Sequence, residues 1–193
     1  MGDPRRLTSH FRGPGHPWQK ERIEEERKVM SEFGLKNKTE LWRISSNVKA
    51  FTQQAKKLIA ATSTQADREK EQLFQRLQRL GLIKVGAKLD DILSLTLRNM
   101  LERRLQTLVC RKGFARSMKQ ARQFITHQHV LVNNKIITSP NYIVLMAEEL
   151  SLSIVGSSTL AKAEHPERII LPPKKKSAAR PPERRRNDRR GRR

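Results

Sequence analysis

Two short β-prone runs that flank a pair of asparagines constrain the fold of this chain more than any other feature. The runs are Val130–Val132 and Lys135–Ile137, and Asn133-Asn134 lies between them. Asparagine tolerates the positive φ that a tight hairpin turn requires, so the segment predicts a β-hairpin. A third apolar run, residues 150–155, can pair with it. Because the patterns before the hairpin are helical, the sequence predicts an α+β fold.

Three helical patterns occupy the first eighty residues. We expect His16–Trp18 to open the first helix, because proline is tolerated in the first helical turn, and Gly34 lies where its C-terminal cap belongs. The acidic cluster Glu24–Glu26 is interpreted as a solvated face near the positive end of this helix. Residues 37–40 have the form of a capping box for the second helix, and a third helix is expected to end at Gly81. The second helix carries apolar residues at three- and four-residue spacing: Leu41, Ile44, Val48, Phe51, Ala55, Leu58 and Ile59.

Two further helices are predicted after Thr96, each with an apolar and a polar side. The first has an apolar stripe of leucines from Leu97 to Leu108, with Arg103, Gln106 and Cys110 on the far side. The second begins at Ser117, because residues 117–120 form another capping box. Its residues divide into an inward set, Met118, Ala121, Phe124 and Ile125, and an outward set, Lys119, Arg122, Gln123 and Thr126.

The chain is strongly basic, with 41 lysines and arginines against 19 acidic residues and a formal net charge of +22. A compact protein with that charge repels itself, so we expect it to bind a polyanion. Nucleic acid is favoured, because neutralising its phosphates releases counterions. A membrane is disfavoured, since no apolar run approaches the ~20 residues of a membrane span. Aromatic residues make up only 5% of the chain, which favours recognition of a folded RNA shape over splayed single strands.

Other features exclude whole classes of function. Cys110 is the only cysteine, which rules out an intrachain disulfide and a cysteine-cluster zinc site. Residues 1–20 contain no apolar core of a secretion signal, so we expect a cytoplasmic protein. The sequence has no Ser/His/Asp set, P-loop or dinucleotide fingerprint. We therefore expect no catalytic residues, no cofactor, no metal and no small-molecule substrate.

Several short motifs stand out along the chain. The central ones are L-E-R-R-L-Q-T (101–107), G-F-A-R-S-x-x-Q-A-R (113–122) and H-x-H-V-x-V-N (127–133). The N-terminal ones are M-G-D-P (1–4), H-P-W (16–18), G-L-K-N-K (34–38) and L-x-x-L-G (77–81). Together they resemble the S-four family of small-subunit ribosomal proteins, and the N-terminal ones are similar to its archaeal and eukaryotic branch. The central motifs alone indicate an RNA-binding domain that some enzymes share. The N-terminal motifs extend the resemblance over nearly all of residues 1–155.

The resemblance implies a helical N-terminal domain into which the two helices and the hairpin with its small antiparallel sheet are inserted as an RNA-binding module. It implies binding to the 5′ region of 16S-type rRNA early in assembly. It places the protein near the channel through which mRNA enters the subunit. It also implies neighbouring small-subunit ribosomal proteins as further partners and a possible effect on translational accuracy. Carried over by position, and completed by Arg111 and Lys112 from the same basic run, the predicted RNA-binding residues are Arg103, Arg104, Gln106, Arg111, Lys112, Arg116, Ser117, Lys119, Gln120, Arg122, Gln123, His127, His129, Asn133, Asn134 and Lys135.

Some of these positions leave alternatives open. Ser117 is equally compatible with a helix cap and with a phosphate contact. His127 and His129 are interpreted as structural or close to phosphate, because no third and fourth metal ligands lie nearby. Gln128 and Asn134 stand where the family usually has glycine, and residues 146–149 stand where Pro-Gly-Asp is common. The departures at Asn134 and at residues 146–149 are expected to affect the geometry of these loops more than the binding.

We divide the chain into five segments: a basic arm (1–16), a helical domain (17–96), the RNA-binding module (97–155), a segment that returns to the helical domain (156–171) and a basic tail (172–193). The tail holds eleven basic residues against two acidic ones, with four prolines and no aliphatic residue larger than alanine. It cannot bury enough apolar surface to fold alone, so we predict that it is disordered.

Two other functions fit parts of the sequence. An RNA-modifying enzyme such as a pseudouridine synthase could carry the same module, but 193 residues leave no room for its catalytic domain. Its G-R-L-D motif is matched only in part, by Lys88–Asp90. A free-standing RNA chaperone or ribosome-associated stress factor would bind RNA by the same physics. The N-terminal motifs argue against it, and stoichiometric sedimentation with the washed small subunit would discriminate the two.

Overall fold

The computed structural model describes Ser9, residues 11–162 and His165. Most of the predicted arm, the end of the returning segment and the whole tail predicted to be disordered lie outside the described residues. Where it is described, the chain is mainly helical with one three-stranded antiparallel sheet. The predicted α+β class is confirmed.

Three long helices form the first half: α1 (Lys20–Glu32), α2 (Lys38–Ala60) and α3 (Thr64–Arg79). Helix α1 begins later than predicted, because the guanidinium of Arg22 donates to the carbonyl oxygens of His16 and Pro17 and so stabilises a turn there. Helix α3 begins one residue after a serine. Its N-cap, Ser63, accepts a hydrogen bond of 3.2 Å from the amide of Ala66.

Both glycines predicted to end helices do so in the left-handed conformation. Gly34 has φ +59° and Gly81 has φ +69°. In each case the following amide reaches back to a carbonyl of the last turn, Leu35 to Met30 and Leu82 to Leu77, both at 3.0 Å. This is the hydrogen-bonding pattern of a Schellman motif, in which glycine carries no steric penalty.

Glu24 and Glu25 are exposed, as the predicted solvated face requires, but the expectation is wrong for Glu26, because α1 packs against α2 and brings partners to it. Glu26 is only 7% exposed; its carboxylate accepts hydrogen bonds from Arg22 and from the indole of Trp42, and lies 3.3 Å from Lys38. Burial alone would raise the pKa of Glu26, but these hydrogen bonds lower it below the ordinary value. Residues 37–40 form no capping box, since the Asn37 side chain makes no cap hydrogen bond.

The leucine stripe from Leu97 to Leu108 is interrupted, although we expected one helix there. Helix α5 (Leu97–Glu102) ends and α6 (Leu105–Arg111) begins on either side of Arg103-Arg104. At the break the amide of Leu105 donates to Tyr142 (2.8 Å), and the carbonyl of Arg103 accepts from Val144 (3.0 Å). These hydrogen bonds to a segment about forty residues away in the sequence satisfy backbone groups that an unbroken helix would have paired within itself.

The remaining elements follow the predicted order, with short helices that the sequence did not reveal. Strands β1 (Val130–Val132) and β2 (Lys135–Ile136) form a hairpin, and β3 (Ser153–Ile154) pairs with the other side of β1, so the order in the sheet is β2-β1-β3. This confirms the predicted hairpin and the predicted pairing of residues 150–155. The turn between β1 and β2 has positive φ at both Asn133 (49°) and Asn134 (60°), as a two-residue hairpin turn requires. The elements not yet given are α4 (Leu89–Leu93), α7 (Met118–Thr126), α8 (Met146–Glu149) and a 3₁₀ turn at Thr159–Ala161.

Two separate apolar cores hold these elements together, and the chain passes from one to the other at the α5–α6 break. The first core is built from helices α1 to α5 and the second from α6, α7, the sheet and the 3₁₀ turn. Leu101 is fully buried in the first and Leu105 in the second. Our five-segment division stays a prediction, but the change of core at residues 103–104 places Leu97 to Leu101 with the helical half.

Candidate nucleic-acid interface

A buried cluster of one carboxylate and two guanidinium groups joins the two cores. Glu40 of α2 accepts hydrogen bonds from Arg104 at 2.8 Å and from Arg122 of α7 at 2.6 and 3.1 Å. The exposed side-chain fractions are 13% for Glu40, 1% for Arg104 and 23% for Arg122. Burial by itself would raise the pKa of Glu40, but the hydrogen bonds and charges of the two arginines lower it below the ordinary value.

Two residues of the predicted RNA-binding set, Arg104 and Arg122, belong to this cluster. Arg104 is completely buried, with its Nε donating to the carbonyl of Pro140 at 2.9 Å. Arg122, which the sequence placed on the outward side of its helix, turns its guanidinium to Glu40 instead. Arg122 turns this way because it forms an ion pair with Glu40, which lies on a helix far away in the sequence. Both arginines therefore stabilise the junction between the cores, and Arg104 cannot touch RNA in this structure.

Gln106 is a third residue that we placed on the surface and that the structure buries. Its carboxamide is fully inaccessible and donates to the carbonyl oxygens of Met118 (2.8 Å) and Gly34 (3.1 Å). It thereby joins α6 to the start of α7 and to the C-terminal cap of α1. A Cβ atom on Gly34 would lie 2.7 Å from the Cβ of Met118, so the glycine permits this close approach as well as the positive φ.

The other basic residues near α6 are exposed to a greater degree but have partners within the protein. Arg103 pairs with Glu149 at 2.6 Å and donates to the carbonyl of Val144. Arg111 pairs with Glu102 at 2.9 Å, and Lys112 donates to the carbonyl of Glu149. Part of the positive charge that the sequence assigned to RNA is therefore balanced locally.

Three exposed cations of the predicted set have neither an acidic partner nor a side-chain hydrogen bond among the described residues: Arg116, Lys119 and Lys135. Arg116 and Lys119 lie at the start of α7, and Lys135 lies directly after the hairpin turn. Ser117 caps α7, accepting from the amide of Gln120 at 3.2 Å, while the Gln120 side chain accepts from the amide of Arg116 at 2.8 Å. The predicted cap is confirmed; a phosphate contact of Ser117 stays a prediction.

The structure brings cations of the helical half next to Lys119. A concavity of about 410 Å³ at the junction is lined by Lys119 together with Arg27, Lys38 and apolar side chains of α1. Nothing in the local sequence indicated this neighbourhood, because Arg27 and Lys38 are more than eighty residues from Lys119. It extends the basic surface at the start of α7 onto the helical half.

The two predicted histidines also meet an unexpected neighbour. His127, His129 and His165 line a concavity of about 400 Å³ together with Gln123, Phe124, Thr159 and Leu160. The Nδ1 atom of His129 lies 2.9 Å from the hydroxyl of Ser158, which fixes the ring. Asn133, Asn134 and Gln123 are exposed, as expected of the predicted surface.

The described part of the chain contains no group of three or more His, Cys, Asp and Glu residues placed to hold a metal ion. Within the same residues, no helix is both long and apolar enough to cross a bilayer.

Comparison with known proteins identifies the part of the chain that carries this surface. Residues 103–150 match the family model of the S4 domain. The small ribosomal subunit protein uS4 of Methanococcus aeolicus is 51% identical over 169 residues, which cover 87% of this chain and 96% of that protein. The proteins of the same name from Methanococcus maripaludis and Methanococcus vannielii are each 47% identical, with 87% of this chain and 95% of theirs covered.

Proposed function

The chain belongs to the uS4 family of small ribosomal subunit proteins, and we propose that it binds 16S-type rRNA through the exposed cations of its S4 domain. It is a structural constituent of the small ribosomal subunit. Its partners are rRNA and other ribosomal proteins. It is not an enzyme, because the family is a structural class.

The observation that carries the proposed binding mode is the unbalanced charge at the start of α7. None of the described groups accepts a hydrogen bond from the amides of Met118 and Lys119, in the first turn of that helix. Free amides and the helix dipole favour an anion at this end. Arg116 and Lys119 add two cations without acidic partners, so a phosphate there would receive charge-assisted hydrogen bonds from backbone and side chains together.

The finer assignments rest on the resemblance of the motifs and belong to the same proposal. The rRNA site would be in the 5′ region, bound early in assembly, and mRNA would pass nearby on its way into the subunit. The protein would act in the cytoplasm. After the burial of Arg104 and Gln106 and the pairing of Arg122, the proposed RNA surface centres on Arg116, Lys119 and Lys135, with Ser117, Gln123, His127, Asn133 and Asn134 around them.

A triple variant tests the proposal. Arg116→Ala, Lys119→Ala and Lys135→Ala together remove three exposed charges, and alanine preserves the start of α7 because it is the best helix former. Affinity for a fragment of the 5′ region of the rRNA, measured at several salt concentrations, should fall. The log–log salt slope should become shallower by about 2–3, since each lost phosphate contact contributes roughly 0.7–0.9.

The matched control removes the same charge from another surface: Lys56→Ala, Lys57→Ala and Arg68→Ala, all exposed positions of α2 and α3. It should leave the slope closer to that of the wild type. Equal losses in both variants would mean that only the overall charge matters and would contradict a defined site at the S4 domain. A triple variant that binds as the wild type does would contradict it as well.

A further inference from the structure

A second concavity lies in the helical half, away from the start of α7. It is a groove of about 680 Å³ between α2 and α3, and Ile143 and Leu145 contribute to its lining from beyond the α5–α6 break. Ligand sites in proteins commonly have volumes of about 300–1,000 Å³. The groove is therefore large enough for one nucleotide, and an occupant would touch both the helical half and the segment that leads into α8.

The chemistry of the lining is unusual for a helical surface. It contains four carboxamides and two guanidinium groups but no carboxylate: Asn47, Gln54, Gln72, Gln75, Arg76 and Arg79. Among the described residues, no other protein group pairs with the side chains of the four carboxamide residues or of Arg79. These side chains thus present both hydrogen-bond donors and acceptors, together with net positive charge, to the groove.

One of the arginines is already oriented by an aromatic ring. The guanidinium carbon of Arg76 lies 5.4 Å from the ring centroid of Phe51, which is buried beneath it at 7% exposure. This contact restricts the planar guanidinium, while the Arg76 side chain remains exposed overall. RNA-binding proteins stack unpaired bases on guanidinium planes as well as on aromatic rings. Arg76 therefore offers a stacking surface in a chain that has few aromatic residues.

We propose that this groove binds one unpaired nucleotide of the rRNA, an inference that rests on the proposed function. The base stacks on the guanidinium of Arg76, and its edge is read by the carboxamides of Gln72 and Gln75, which precede Arg76 on α3 by four residues and by one residue. Asparagine and glutamine pair with adenine through one donor and one acceptor, so adenine is the best-matched base. Arg79 meets the adjoining phosphate.

An unpaired nucleotide fits better than a duplex or an acidic peptide. A paired base in an RNA helix has both faces covered by stacking, and the deep major groove hides its edge from side chains. An acidic peptide would pair with the two arginines, and its backbone could hydrogen-bond the carboxamides, but its carboxylates and backbone offer no flat ring to stack on the guanidinium of Arg76. The combination of a stacking plane, amide groups and an acid-free lining is complementary to a base attached to a phosphate.

The experiment compares groove variants with matched controls in the full-length chain. Arg76→Lys keeps the charge but removes the planar group, and the double variant Gln72→Ala and Gln75→Ala removes the edge contacts. The controls, Arg68→Lys on α3 and Gln53→Ala on α2, make the same chemical changes at exposed positions outside the groove. The probe is the rRNA 5′-region fragment, with affinity and the chemical reactivity of its unpaired bases measured in parallel.

We expect each groove variant to lose about tenfold in affinity, within the range measured for the loss of a stacked base, and to restore reactivity at one unpaired base that the wild type protects. The controls should bind within twofold of the wild type and keep that protection. Groove variants with wild-type affinity and an unchanged protection pattern would overturn the inference. So would equal losses in the controls, because these would reflect general electrostatics.

Two further outcomes are kept apart by the design. If Arg76→Lys unfolds because Phe51 loses its cover, the double glutamine variant decides, since its positions are exposed and its substitutions favour the helix. If the wild-type chain does not bind the fragment, the proposed function itself fails. If the wild type binds the fragment and the groove variants bind it as the wild type does, the inference fails and the proposed function stands.

Discussion

Replacing Glu40 by glutamine should destabilise the protein more than any other single charge removal on α2. The substitution keeps the size of the side chain but removes the negative charge that faces two guanidinium groups. Arg104, with 1% of its side chain exposed, cannot turn to solvent, and its Nη1 already lacks a hydrogen-bond partner. Arg122 is 23% exposed and can partly rehydrate. Breaking a buried ion pair costs roughly 3–5 kcal/mol of the free energy of unfolding. Because Arg122 can partly rehydrate, we expect a loss near the lower end of this range, at about 3 kcal/mol.

Urea unfolding followed by circular dichroism measures this loss. Glu24→Gln is the control, because Glu24 pairs with Lys20 only at 4.0 Å on an exposed face, and such surface pairs contribute little. A loss below about 1 kcal/mol for Glu40→Gln would refute the reasoning, because a buried arginine without its counterion should cost more. A second comparison sharpens the test: replacing Glu40, Arg104 and Arg122 together by methionine should destabilise less than Glu40→Gln alone, since no buried charge is left unpaired.

The stabilisation that Glu40 provides to the wild type should depend on pH in one direction only. The folded-state pKa of Glu40 lies below its ordinary value, so the unfolded state binds a proton more readily. The stabilisation is therefore fully present above the unfolded pKa of about 4.3 and is lost as the pH falls through the folded pKa. The difference in the free energy of unfolding between wild type and Glu40→Gln should be constant near neutral pH and should shrink in acid. A difference that grows in acid would contradict the assignment.

Two other substitutions test the second core and the loop before the sheet. Phe124→Ala should lower the free energy of unfolding by roughly 3–5 kcal/mol, because the ring is only 3% exposed and its removal leaves a cavity. Gln123→Ala, on the exposed side of the same helix, should change the free energy of unfolding little in thermal or urea unfolding. Equal effects of the two substitutions would mean that the faces of α7 are assigned wrongly. Gln128→Gly should raise the free energy of unfolding by about 0.5–1 kcal/mol, because Gln128 has φ +65°. Relief of the left-handed strain exceeds the cost of the conformational entropy that glycine adds to the unfolded chain. A decrease in the urea midpoint would show that the Gln128 side chain makes a compensating contribution.

Local sequence signals were sufficient for most elements of the fold. The three- and four-residue spacing of apolar residues located α2, and glycine located the ends of α1 and α3, because these features depend on the backbone geometry of neighbouring residues. The same is true of Ser117 at the start of α7 and of the paired asparagines in the hairpin turn. Short-range hydrogen bonding and sterics decide such features, so they can be read from a few consecutive residues.

The side chains at the candidate site could not be assigned in this way. Helical periodicity says which residues share a side of a helix, but not whether that side meets solvent or another part of the chain. Arg122 and Lys119 belong to the same predicted outward side, yet one is paired with Glu40 and the other is exposed. Gln106 was predicted outward and is buried, because the loop after α1 lies against it.

The charge and the motifs of the sequence by themselves predicted a polyanion as partner, a helical half and a hairpin module, and they indicated which family the chain resembles. Only the tertiary structure decided which of the predicted cations remain exposed. The hydrogen bonds from Arg104 and Arg122 to Glu40 span 64 and 82 residues, and no local pattern encodes a partner at that distance. Their pairing follows from the docking of two cores, where burial makes a carboxylate and a guanidinium far more stable together than apart.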